Sequence, residues 1–239
     1  MVPEDVAPFP AAFRPLADLI ATGGPVVVLL LVLSVTAGAI VVAKLLQFQI
    51  AGLGRHARAR AALDAWLAGR PEAARAALAD RRSVAGEVLA ALMRHPVGDA
   101  AARQALKEDA ERICRTRLSG LASYLRALDM IAQTAPLIGL FGTVLGMIEA
   151  FRAMQGAGAA VDPSVLAGGI WVALLTTAVG LAIAIPVSAI TSWFDGRLER
   201  EQVVLESLVT AFFTGAPAER VAGAEGRSGA AAVGVGHAA

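Results

Sequence analysis

Between Asp162 and Asp195 the chain carries 32 consecutive residues without a charge, PSVLAGGIWVALLTTAVGLAIAIPVSAITSWF. Crossing the hydrocarbon core of a bilayer takes about 20 apolar residues, so this run spells a membrane-spanning helix with extensions at its ends. At helical spacing Gly169, Ala173, Thr177, Gly180, Ala184 and Ser188 share one face, with Thr176 beside it. A face of small and hydroxylated residues lets helix backbones approach one another, and it has little to gain from lipid. The run therefore predicts a helix that packs against other helices inside the membrane.

Two further uncharged runs complete the pattern. VVVLLLVLSVTAGAIVVA, within Leu19 to Ala43 and closed by Lys44, has no polar face and reads as a lipid-facing anchor. MIAQTAPLIGLFGTVLGMI, between Asp129 and Glu149, is just long enough to span, and carries Gly139, Gly142 and Gly146 for close helix contact. Pro136 in this segment and Pro186 in the third each remove a helical hydrogen bond and are expected to kink their helices. No basic region precedes the first apolar run, so we expect it to act as an anchor and not as a cleaved leader.

The composition fits a membrane protein, with 56% hydrophobic and 17% charged residues and a mean hydropathy of +0.63. The near balance of 21 basic and 20 acidic residues argues against a nucleic-acid partner, which calls for a concentrated basic surface. Position matters more than balance. Fifteen of the 21 basic residues lie between Lys44 and Arg126 and four follow Asp195, whereas one precedes the first span and one lies between the second and third. By the positive-inside rule the loop and the C-terminus face the cytoplasm and the N-terminus faces outward.

The expected architecture is an all-α membrane protein with three transmembrane helices, the second and third extended into a cytoplasmic helical stalk. Its segments are a periplasmic lead-in (1–18), transmembrane helix 1 (19–48), a cytoplasmic helical loop (49–128), transmembrane helix 2 (129–154), a periplasmic connector (155–162), transmembrane helix 3 (163–194), a cytoplasmic helical extension (195–214) and a disordered tail (215–239). Within the loop, Pro71 suits the first turn of a helix and His95 to Gly98 a break. Asp99 then opens a helix with no breaker before Pro136, expected to run unbroken into the membrane. Gly215 and Pro217 end the last helix, and the Gly- and Ala-rich tail has no apolar stripe.

Little in the chain suggests catalysis. There is no Ser/His/Asp set, no phosphate-cradling glycine loop before a lysine and no His and Cys cluster at ligand spacing, so neither enzyme activity, a metal nor a cofactor is expected. Cys114 is a lone thiol, and His56 and His95 are solitary, suited to surface or capping positions. The spans hold no ionisable side chain, and Glu149 and Asp162 sit at the outer boundary. What remains as a candidate ion pathway is Thr143, Thr176 and Thr177, whose hydroxyls either bond their own backbone or line a polar path. If ions cross here, the carboxylate that carries them must come from another chain.

The segments APLIGLFGTVLGMIEAF from Ala135 and GGIWVALLTTAVGLAIAIP from Gly168 resemble the signature helices of the MotA/TolQ/ExbB proton-channel family, closest to the ExbB and TolQ branch. TGGPVVVLLLVLSV from Thr22 is similar to that branch's first membrane helix. The resemblance implies a homo-oligomer, a pentamer, around a single-span ExbD- or TolR-like partner whose membrane aspartate carries the proton. The assembly would sit in a bacterial inner membrane among its lipids and turn proton-motive force into work on a TonB-like or Tol-like client. Thr143 in GTVLG and Thr177 in TTAVGL match the family's polar pore threonines. One departure stands out: Val172 occupies a position where many ExbB-like sequences have a glutamate. Two other readings remain open, a non-conducting oligomeric scaffold and a divergent sodium-driven motor subunit.

Overall fold

The computed structural model describes residues 14–79, 83–95, 98–156 and 163–215. They form seven helices: α1 (Arg14–Ile50), α2 (Ala57–Leu67), α3 (Pro71–Ala77), α4 (Val84–Leu92), α5 (Ala100–Ala122), α6 (Leu125–Gly156) and α7 (Pro163–Thr214). Among the described residues there is no strand, and three helical stretches are long and apolar enough to cross a membrane, in α1, in α6 and in α7. The expected periplasmic lead-in, the connector and all of the tail beyond Gly215 lie outside the described residues, apart from the start of α1 and the last residues of α6.

The chain divides into two compact units. The first draws on Met1–Val42 and Tyr124–Ser192 and contains most of α1, all of α6 and the apolar part of α7. Its outward side chains are large and apolar: Val28, Leu29, Val32 and Val35 on α1, Leu137, Leu140, Phe141 and Val144 on α6, Trp171, Leu174 and Ile185 on α7. Side chains of this kind belong in hydrocarbon, not in water. Departing from the uniform anchor read from sequence, α1 is kinked at Gly24, whose φ of 62° and ψ of −157° suit only glycine. Pro25 follows, and a proline disfavours the helical conformation in the residue before it. Pro136 and Pro186 both lie inside their helices.

The second unit draws on Ala43–Ser123 and Trp193–Ala239. Here three of the helices begin at residues suited to a helix N-terminus. Pro71 occupies the first turn of α3, the Ser83 hydroxyl accepts the Gly86 N–H at 3.1 Å to start α4, and the Asp99 carboxylate accepts the Ala102 N–H at 2.9 Å to start α5. Asp99→Ala should lower the stability of this unit by about 1 kcal/mol, the usual worth of such a cap, measurable as a shift in the urea midpoint of the purified protein. The core is apolar and aromatic: Ala62 and Leu63 of α2, Val88 and Leu89 of α4, and Leu205 and Leu208 of α7 are all fully buried. The Phe48 ring meets Phe194 edge-on at 5.1 Å, and Trp66 stacks on Phe212 at 6.0 Å.

Two findings in this unit differ from the sequence reading. His56 does not cap α2 with its side chain; its Nε2 lies 3.4 Å from the buried Glu201 carboxylate, which also accepts the Gly54 N–H at 3.1 Å. The helix opened by Asp99 is not continuous into the membrane. It stops at Ala122, Ser123 and Tyr124 leave the helical path, and α6 begins at Leu125. The cause is a set of side chains from α1: Lys44 Nζ donates to the Leu121 carbonyl at 2.9 Å, and Gln47 Nε2 donates to the Gly120 carbonyl at 3.3 Å. These carbonyls are the ones a helix leaves without partners at its C-terminus. At the other end, α7 runs unbroken through Thr214, and Gly215 stops it at a φ of 71°.

Candidate functional site in the membrane helices

In the first unit α6 and α7 run antiparallel and touch along a seam of small residues. A Cβ on Gly180 would lie 2.7 Å from the Ala135 carbonyl oxygen, and one on Gly139 would lie 2.8 Å from the Thr176 carbonyl oxygen. Further along, a Cβ on Gly146 would lie 3.2 Å from the Ala173 methyl, and one on Gly169 would lie 2.5 Å from the Ala150 methyl. Gly139, Gly142, Gly146, Gly169 and Gly180 thus all sit where the helices meet. Backbones this close leave no room for side chains, which is why glycine and alanine occupy the seam.

In the part of α7 that belongs to the first unit, the buried positions among the described residues are Ala173, Thr176, Gly180, Ile183, Ala184, Val187 and Thr191, separated by steps of three and four residues except for the adjacent pair Ile183 and Ala184. The face named from sequence therefore needs turning. Thr176, not Thr177, is on the contact line, and Ser188 is exposed. At Gly142 all three helices converge: a Cβ there would lie 2.7 Å from the Thr176 Cβ and 2.9 Å from the Val26 Cγ1 of α1.

The three threonines occupy three different environments. Thr176 is 1% exposed; its single hydroxyl proton lies between the Ala173 carbonyl of its own helix, at 2.7 Å, and the Gly139 carbonyl of α6, at 3.1 Å. Thr143 is half-buried and donates to the Leu140 carbonyl at 2.6 Å. Thr177 Oγ1 is buried and has no hydrogen-bond partner among the described residues. That sets it apart from Thr36, Thr134 and Thr191, each of which donates to a backbone carbonyl four residues earlier. An unpartnered hydroxyl is costly in an apolar setting and calls for a missing partner. Val172 is half-buried and Glu149 is exposed. Among the described residues no group of three or more His, Cys, Asp or Glu could hold a metal ion.

Sequence reasoning passed over one residue at this site, Val26, and missed what another, Thr176, bonds. Val26 belongs to a helix that looked featureless, and only the kink at Gly24 and Pro25 marked it. The bridging role of Thr176 was hidden by its neighbour, because a step of four from Ala173 selects Thr177 where a step of three selects Thr176.

Three apolar helices, two of them joined by a glycine seam that carries hydroxyls, define a multi-pass α-helical membrane protein. The model of the MotA/TolQ/ExbB proton channel family matches residues 80–207, more than half of the sequence, and the chain belongs to that family. It is 37% identical over 127 residues to the biopolymer transport protein exbB1 of Vibrio cholerae, covering 51% of this chain and 54% of that protein. It is 38% identical over 99 residues to a putative ExbB homolog of Methanothermobacter thermautotrophicus, covering 41% of this chain and 34% of the relative. With the Tol-Pal system protein TolQ of Haemophilus influenzae the identity is 45% over 69 residues, 29% of this chain and 30% of the relative. The matched regions thus span about half or less of these relatives' lengths.

Proposed function

We propose that the chain is the multi-span subunit of an inner-membrane proton-driven motor. It forms an ion path with a single-span ExbD- or TolR-like partner, and the assembly converts proton-motive force into work on a TonB-like or Tol-like client. The observation that carries this reading is the buried, unpartnered Thr177 hydroxyl, on an apolar helix where Thr176 and Thr191 both bond backbone carbonyls. A hydroxyl of this kind can bond an internal water that relays to a proton-carrying acid of another chain, and the spans of this chain contain no carboxylate of their own. Thr143 contributes from α6, and Val172, where relatives of this type often carry a glutamate, leaves the acid to the partner. Several such subunits, five by the family resemblance, would surround it.

The test is proton uptake into liposomes containing the chain together with a single-span partner bearing one membrane aspartate. Uptake driven by an imposed potential, and lost when that aspartate is replaced by asparagine, is the expected result. If the two chains co-purify but never pass protons, the seam serves packing alone and the chain is a scaffold.

The orientation that goes with this reading puts the 49–128 loop and the C-terminus in the cytoplasm. Reporters fused after Arg82 and after Arg220 should give a cytoplasmic signal, and one inserted at Gly158 a periplasmic signal. A cytoplasmic signal from Gly158 would rule out three spans with the N-terminus outside.

A further inference from the structure

We propose that Asp129, at the loop end of the second span, is the exit carboxylate of the ion path: a proton that has passed Thr177 bonds to its side-chain oxygen and leaves it for the water beyond. This role rests on the conduction proposed above and adds to it a residue other than the threonines. The first observation is which side of the α6–α7 seam each group occupies. A Cβ on Gly139 would lie 3.1 Å from the Thr177 Cα, whereas one on Gly142 would lie against Thr176 and Val26 of α1. A helix advances about 100° per residue, so Gly142 is turned about 60° to one side of Gly139 and Thr143 about 40° to the other. On α7, Thr176 and Thr177 fall on opposite sides of Gly180 in the same way. Thr176 is on the α1 side with Gly142, so Thr143 and Thr177 share the side turned away from α1.

The second observation is what else lies on that side. Asp129, Pro136 and Thr143 recur every seven residues, nearly two full turns, and so form one line along α6. Pro136 has no N–H, so the Ala132 carbonyl lacks the donor that a helix places four residues on. A polar atom is thereby freed between Thr143 and Asp129. On α7, Ser188 follows Thr177 by eleven residues, about three turns, and is exposed. Ten steps of 1.5 Å put Asp129 about 15 Å from the level of Gly139, and eleven put Ser188 about 16 Å from Thr177. Because the helices are antiparallel, both steps run toward the same end, and Asp129 and Ser188 reach the same level.

The third observation is the state of Asp129 itself. It is exposed, its Oδ2 accepts the Gln133 Nε2 at 2.7 Å, and no basic side chain pairs with it among the described residues. A carboxylate held by one neutral donor and open to water can take up a proton and give it away. A charge at the end of an apolar span is ordinarily an anchor among the headgroups, and Glu149, the other carboxylate of α6, fits that description. It is seven residues from Gly142 and therefore lies on the α1 side, away from Thr177. Asp129 alone of the two stands on the line that carries Thr143.

The test measures proton uptake into liposomes holding the full chain with a cysteine-free, single-span partner that bears one membrane aspartate. Asp129→Asn should lower uptake at least about tenfold, Asp129→Glu should restore most of it, and Glu149→Gln should match the native chain. A chemical rescue separates the carboxylate from the fold. In a Cys114→Ala chain, Asp129→Cys should regain uptake after reaction with iodoacetate, which puts a carboxylate back, and not after iodoacetamide, which adds a neutral amide of similar size. A native complex that passes no protons overturns the conducting function and this role with it. Native flux together with equal flux in Asp129→Asn, or equal loss in Asp129→Asn and Glu149→Gln, overturns the role of Asp129 alone, as does the same response of Asp129→Cys to both reagents.

Discussion

Thr177→Val should lower proton flux through the assembled complex at least about tenfold while leaving its thermal stability unchanged or slightly raised. The two halves of this expectation come from one fact, that the Thr177 hydroxyl is buried with no hydrogen-bond partner among the described residues. Its removal breaks no bond and relieves a desolvated polar atom of about 1–3 kcal/mol, so the fold should not suffer. On the proposed function, the variant loses a bonding group for a water on the ion path, worth about 1.4 kcal/mol for a factor of ten. Thr176→Val should behave in the opposite way, because it removes the hydroxyl shared with the Gly139 carbonyl. Interhelical bonds of this kind contribute roughly 0.6–1.7 kcal/mol, so that variant should melt earlier, whatever its flux. Thr143→Val should fall between, since its hydroxyl is already bonded to Leu140. Wild-type flux in Thr177→Val would sink the pore assignment.

Gly180→Leu should abolish the α6–α7 pairing and with it recovery of folded protein. Even a Cβ at this position would meet the Ala135 carbonyl oxygen at 2.7 Å and the Gly139 Cα at 3.2 Å. Both are backbone atoms and cannot rotate away, so a leucine must force the helices apart, at about 3 kcal/mol or more, roughly a hundredfold in the folded population. Gly168→Leu and Gly38→Leu are the matched controls, because nothing lies within 4 Å of a Cβ at either position. The measurement is the monodisperse fraction in detergent after purification. Equal recovery of all three variants would mean that the seam is not what holds the helices together.

The three spans were legible because a bilayer filters sequence severely: Asp162 to Asp195 could hardly do anything else. The seam was legible too, since Gly139, Gly142, Gly146, Gly169 and Gly180 recur at helical spacing. Its exact line was not, because steps of three and four diverge within a single turn at Thr176 and Thr177. The kink in α1 was written in the Gly24–Pro25 pair and was overlooked within an apolar run, although Gly-Pro is a breaker signal. The break at Ser123 and Tyr124 could not have been read locally. Its cause, Lys44, is 77 positions from the Leu121 carbonyl it holds, and the contact of Glu201 with Gly54 spans 147 positions. Interactions made across the fold leave no periodicity in the chain.

The close contact at Gly142 bears on how the membrane unit is built. Val26, set just beyond the kink, and Thr176 enter the same space from α1 and α7, so neither neighbour alone fills it. A ribosome delivers α1 to the membrane first, with Val26 turned toward nothing but lipid. The hairpin of α6 and α7 emerges more than a hundred residues later and closes over that side chain. The contact at Gly142 can thus form only once the α6–α7 hairpin, made later, meets the bent α1 made before it.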